Sequence, residues 1–471
     1  MKILRQSGLL ALVLLFLFVG ISFGGSVARE HYDKGIKYAS EGKFIQAREE
    51  FKQALKSEPE DRLSIYSLEY IEDAIDLKFR NEAAIHLFKG MAFISKEMLV
   101  EAITEYTISI KIDPMSTFTY LNRGTAYLAK GQYDRAISDS TKAIEIDPKH
   151  APAYYIRGTT YIAKGEYDDA IFDFVKAIKL DPKYAKVYYS RGYVYFSKNQ
   201  YDRAISDFTK AIEIDSKNAR AYGMRGNAYY SKGQYGLSIP DFTKSIEIEP
   251  KYADADIYIN RGNAYIEIGQ YDRAISDFAK AIKLDHKYAK VYYSRGNAYA
   301  AKGQYDRAIS NYTRGIEVDP KYAETYYGRG LAYRRKGQND RAISDYTRGI
   351  EIEPEFVNAY INRGAIYAEK GKYDRAISDY TMAIKIKPGL AIAYDNRGRA
   401  YYAKGQYDLA IPDFTKAIEI DPRSVGAYSY RGVVYMTNLG NSIKACKDWK
   451  KACELGQCIN YNKAKRAGDC R

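Results

Sequence analysis

The dipeptide Arg-Gly returns through the chain with its glycine at Gly124, Gly158, Gly192, Gly226, Gly262, Gly296, Gly330, Gly364, Gly398 and Gly432, in steps of 34 residues with one exception of 36. A fixed period of that length means one supersecondary unit built repeatedly, each copy stacked on the last because none can bury its apolar face alone. Such an array offers an extended surface, so a single enclosed catalytic pocket is not the design to expect.

Around Gly296, apolar residues keep helical spacing on both sides of Lys302-Gly303-Gln304, which predicts a helix, a tight turn and a second helix. Glycine recurs at the turn, from Gly131 to Gly405, with Asn199 standing in once, as a left-handed C-cap requires. Asp134, Asp202, Asp272 and Asp306 stand where the second helix would take an N-cap acceptor. Nine of the twelve prolines, Pro59 to Pro422, lie 24 residues after a repeat glycine and stop the second helix. Pro240 and Pro412 are expected within its first turn.

These marks resemble the tetratricopeptide repeat family. Around Gly192 they are Tyr188, Gly192, Tyr195, Ala204, Phe208 and Ala211, with Ser216 in place of the proline. Where the family commonly has leucine before the glycine, this chain has arginine. The resemblance covers about residues 28–458 and implies an all-α, right-handed superhelical solenoid of about twelve helix-turn-helix repeats. Two weaker copies centre on Gly35 and Gly90, 55 residues apart, so an additional helix is expected near Leu63–Phe79. The chain divides into a leader or anchor (1–28), a first repeat (29–61), the extra helix (62–82), repeats two to six (83–252), repeats seven to eleven (253–424) and a last repeat with a cysteine-bearing cap (425–471). The 36-residue step places two extra residues near Ala253–Asp256, read as an accommodated loop or as a kink dividing the groove.

Fifteen residues after the glycine stands an aspartate, at Asp139, Asp173, Asp207, Asp241, Asp277, Asp345, Asp379 and Asp413, with Asn311 the exception. In a helical hairpin that aspartate comes level with the arginine before the glycine, which predicts a ladder of partly buried ion pairs fixing helix register. The weak repeats are expected to keep the pair as Lys34 with Glu50 and Lys89 with Glu105.

On the first helix, offsets −6, −3, −2, +1, +4 and +5 from the glycine form the face opposite the core. The resemblance makes that face the lining of a concave groove where partners lie. It carries Asn227, Asn263 and Asn297 just after the glycine and Asn122, Asn260, Asn362 and Asn396 two before it. Asparagine is a poor helix former, and its amide can hold the backbone of an extended peptide. Solvated asparagines or local caps are the plainer reading. Tyr189, Tyr293 and Tyr327 share the face, with Lys186, Arg220 and Lys290 able to meet a carboxylate. Asp256, Glu267, Glu324, Glu369 and Asp395 point the same way, so the groove is mixed in charge.

Lys2 and Arg5 precede an uncharged run from Gln6 to Ala28, and Ser26-Val27-Ala28 offers a cleavage point. A secretory signal and an uncleaved membrane anchor, which would tie the chain to a membrane through its N-terminus, both stand; either places the repeats outside the cytoplasm, in a periplasm or extracellularly. All four cysteines, Cys446, Cys453, Cys458 and Cys470, fall near the C-terminus, which points to disulfides in an exported chain. A chain reversal near Gly456 would allow Cys453–Cys458 nested within Cys446–Cys470; other pairings stay open. A zinc site lacks CxxC spacing and a nearby histidine.

The net charge of +14 is spread over alternating pairs such as Asp134-Arg135 and Asp306-Arg307, a solvated face without the clustered basic patch that nucleic acid needs. His31, His86, His150 and His286 are scattered, no phosphate-binding glycine loop is present, and nothing asks for a metal or cofactor. A non-enzymatic scaffold binding an extended peptide or a partner's helix in the groove is the leading expectation. The alternative is a structural subunit of an envelope assembly or polysaccharide-export machine, docking through its convex face and ends. Self-association is left open.

Overall fold

The computed structural model describes residues 26–59, 61–76, 81–250 and 255–470. Of the segment expected to be a signal or anchor, residues 1–28, the first 25 lie outside them; Ser26-Val27-Ala28 forms the start of the first described helix, with Ala28 buried. Among the described residues there are 26 helices and no strand, and no helix is long and apolar enough to cross a membrane. Two compact units divide between Lys251 and Tyr252. The first holds six helical hairpins and the extra helix Arg62–Asp76; the second holds six hairpins and the terminal helix Ile459–Arg466.

Each hairpin pairs a first (A) helix such as Ala185–Ser197 with a second (B) helix such as Tyr201–Ile214. The reversal is left-handed, as expected: Gly131 has φ 72° and Asn199 φ 58°. At the first of these, the Gly131 N–H donates to Leu128 O and the Gln132 N–H to Tyr127 O, both at 2.9 Å, closing the A helix. The weak Gly90 repeat uses Glu97 there, at φ 60°. The expected aspartate caps are corrected. Residues such as Gln132 and Gln200 occupy the N-cap without a side-chain bond, and Asp134 and Asp202 sit one residue inside the helix. There they favour the positive end of the helix dipole. They also meet a lysine from the turn of the next hairpin, as in Lys198–Asp168 (2.6 Å) and Lys370–Asp340 (2.5 Å). Pro240 and Pro412 stand sixth in their helices, past the first turn.

The core of each hairpin is an aromatic B-helix residue laid on the repeat glycine. Phe174, Phe208, Phe242, Phe278 and Phe414 are fully buried, each contributing about 1.5–3 kcal/mol of apolar burial. A Cβ on Gly296 would stand 2.5 Å from the Tyr312 ring, so only glycine admits this approach. Alanines twelve and nineteen residues after the glycine, such as Ala204 and Ala211, are also fully buried. The Gly124 repeat departs from the pattern: Ser140 takes the aromatic place and bonds back to Ala136 O.

The C-terminal end closes as a cap. Cys446 bonds Cys470 and Cys453 bonds Cys458, the nested pattern, with Cα separations of 5.5 and 4.0 Å. Trp449 takes the aromatic place against Gly432 and donates from Nε1 to Ser429 O at 3.1 Å.

Candidate functional site

The arginine–aspartate ladder forms. Nine pairs from Arg123–Asp139 to Arg431–Asp448 close at 2.7–2.8 Å with the carboxylates nearly buried. The contact is a two-bond fork: Arg329 Nε and Nη2 each donate to Asp345 at 2.8 Å. The last rung carries one extra residue between its members, which hid Asp448 from a fixed offset. A third contact escaped the sequence altogether. Arg329 Nη1 donates to Thr313 Oγ1, on the B helix of the preceding hairpin, at 3.0 Å. The same bond runs from Arg157 to Thr141, Arg225 to Thr209, Arg363 to Thr347 and Arg397 to Thr381. One guanidinium therefore ties its own hairpin together and clamps it to its predecessor. The signal was a threonine two residues after the aspartate.

The weak repeats correct the expected lysine pairs. Lys34 meets Glu30 on its own helix, and Glu50 instead takes His31 at 2.6 Å. Glu105 likewise takes His86 at 2.6 Å. Each histidine stands four residues before the repeat glycine, where the A helix also faces its B helix.

Of the expected groove residues, some face outward and some are consumed by packing. Lys186 and Lys290 are exposed, and Arg220, Asn227, Asn260, Asn263 and Asn396 are half-buried. Tyr189 is a correction: it is 8% exposed, with its ring 5.7 Å from Phe208, and belongs to the core. Tyr293 and Tyr327 lean on Tyr312 and Tyr346 in the same way but keep an accessible edge. Asn297 accepts from the Tyr312 hydroxyl at 2.7 Å, and Asn122 donates to Phe118 O at 2.8 Å.

Asn362 sits at the centre of a small network. Its amide donates to the Tyr327 hydroxyl and accepts from Arg334, both at 3.1 Å, while Arg334 also holds Glu369 at 2.6 Å. Asp395, expected to face the groove, is buried and held by Arg399 at 2.6 Å; burial pushes its carboxyl up while Arg399 pulls it down. Gly426 makes room for that guanidinium, which stacks 4.6 Å from the Tyr430 ring.

The extra helix is not one more rung of the stack. Its Tyr70 packs on Phe88 (6.3 Å) and Phe118 (5.9 Å), and its Tyr66 on Phe118 (6.3 Å) and His150 (5.4 Å). Phe88 and Phe118 lie at offsets −2 and −6, on the outward face of two successive A helices. The helix packs chiefly against the preceding B helix Phe44–Ser57, to which Lys52–Glu72 ties it at 3.5 Å, and reaches that face through Tyr66 and Tyr70, with Tyr70, Ile71 and Ala74 buried.

Family profiles match along the array. One, described as TPR repeat, matches residues 158–198, 262–303, 296–337, 330–371 and 398–438. Two described as Tetratricopeptide repeat match 118–150, 185–218, 219–252 and 357–390, and 141–172 and 242–276. The chain belongs to the tetratricopeptide repeat family, and as such it is a protein-interaction scaffold. Among solved structures it is similar to YrrB, described as a TPR protein with an unusual peptide-binding site, at 26% identity over 42% of this chain and 97% of that one, with a TM-score of 0.35. Yeast Tom70 is similar at 16% identity over 82% of this chain and 94% of its own, with a TM-score of 0.40. MamA is similar at 30% identity over 35% of this chain and 94% of its own, with a TM-score of 0.32. No curated protein matches the chain.

Proposed function

We propose that this chain holds an extended segment or a helix of a protein partner against the outward face of its A helices, and that it does so outside the cytoplasm. The observation that carries the binding mode is the helix Arg62–Asp76: the chain seats its own amphipathic helix on Phe88 and Phe118 through Tyr66 and Tyr70. A face that packs a helix from within is shaped to pack one from outside. Beyond that helix, exposed Lys186 and Lys290 and half-buried Asn263 and Asn396 offer charge and amide groups to a partner. Export is supported by the N-terminal apolar run and by the two disulfides, which persist in oxidising compartments.

A second reading places docking on the B-helix side. Phe172 and Val175 are 60% and 46% exposed where neighbouring repeats carry serine and threonine, an apolar break in a polar surface. Photo-crosslinking from intact cells separates the two. With the crosslinker in place of Asn263, Lys290 or Asn396, a discrete partner is expected to be captured, and capture from Phe172 is expected to fail. Capture from Phe172 alone would transfer the function to the B-helix side.

A further inference from the structure

Arg295 breaks the ladder at both ends. Asn311 replaces its aspartate, and Ala279 replaces the threonine of the preceding hairpin. Its Nε donates to Asn311 Oδ1 at 2.6 Å, and the Asn311 amide nitrogen is turned away to donate to Arg307 O at 2.7 Å. Nη1 and Nη2 have no hydrogen bond among the described residues. Arg191 also lacks a threonine, having Val175 there, but it keeps both bonds to Asp207. Arg295 is half-buried beside the Tyr292 ring, and burial lowers its pKa with no carboxylate to oppose it. A partly desolvated guanidinium left in this state is costly and seeks an anion.

The surroundings allow one to enter. In the Gly192 repeat, Tyr188, Arg191, Asp207, Lys210 and Glu213 line a surface recess of about 400 Å³ in which two cations face two carboxylates. The equivalent residues here are Tyr292, Arg295, Asn311, Arg314 and Glu317. Two cations now face one carboxylate, and Glu317 is already held by Arg314 at 2.7 Å.

We propose that Arg295 is a binding site for a carboxylate, supplied by an acidic side chain of a protein partner, whose oxygens take Nη1 and Nη2. The terminal fork of a guanidinium matches a carboxylate. Ala279 leaves open the place where, in other hairpins, a threonine hydroxyl sits 2.8–3.1 Å from Nη1.

The test uses the full chain, a fluorescein-labelled tetraglutamate peptide and its tetraglutamine counterpart, read by anisotropy at fixed ionic strength. The double variant Asn311→Asp, Ala279→Thr rebuilds the regular rung of the neighbouring hairpins and so retains the fold, which a circular-dichroism melt verifies. The native chain is expected to bind the glutamate peptide and not the glutamine one. The double variant should bind it roughly tenfold or more weakly, the loss of a charged hydrogen-bonded pair. Equal affinity of native and double variant, or no binding by the native chain, overturns the proposal.

Discussion

Single positions in this chain are fixed by what stands opposite them. Gly296 and Gly124 occupy the same repeat position, but the first faces the Tyr312 ring and the second faces Ser140. Gly296→Ala drives a methyl group to 2.5 Å from that ring and should cost about 1–3 kcal/mol of stability by overpacking. Gly124→Ala meets no ring; its nearest neighbour is Ala136 O at 3.3 Å, and the tight contact offsets a helix-propensity gain of up to about 1 kcal/mol. That variant should unfold within about 0.5 kcal/mol of the native chain in a denaturant melt, the usual range for neutral changes. Equal losses at both sites would refute the account of the glycine. The glycine's role was legible in the sequence because it recurs at a 34-residue step with a single exception in the regular array. The fate of Tyr189 was not: offset −3 lies on the boundary between faces, and only the packed Phe208 ring decides which side it takes.

At the scale of helices, the hairpins and their reversals followed from period and turn residues, while their joints did not. The arginine–aspartate rung lies within one hairpin and shows as a fixed offset. The threonine bond crosses between hairpins, a relation that one repeat's pattern does not contain. The histidines of the weak repeats were missed because a charge-preserving swap, lysine for arginine, looked sufficient; the shorter imidazole one turn earlier reaches the glutamate instead. The prolines give a direct test. Pro412 removes the N–H that would bond to the Asp408 carbonyl, at a position where repeats such as Gly296 have serine, here Ser310. Pro412→Ser should raise stability by about 1–3 kcal/mol, read as a higher denaturant midpoint. A lower midpoint would mean that the proline is accommodated without strain and stiffens the unfolded chain.

For the molecule as a whole, repetition makes length adjustable. Removing residues 323–356, one full period within the second unit, brings Tyr322 to Val357 and lets Arg363 take Thr313 and Lys370 take Asp306, the partners that Arg329 and Lys336 hold now. The shortened chain should keep its helical signal per residue and a cooperative melt, because stability in such arrays is a sum of repeats and their interfaces. Removing half a period, residues 323–339, should lower the melt, since it deletes Arg329 and leaves Asp345 without its mate and the B helices of two hairpins in direct succession. The interaction class and the all-helical architecture could be read from the period. The seat of the extra helix could not, because its own pattern says only that it is amphipathic, not which face it covers. Near-identity has a further cost for a surface that must be recognised. A partner sliding along equivalent hairpins meets the same ladder of paired arginines at step after step and gains little from it about its position. The rung where Asn311 and Ala279 replace aspartate and threonine is unlike its neighbours, and it can serve as a milestone: a break in the ladder itself against which a bound partner is registered.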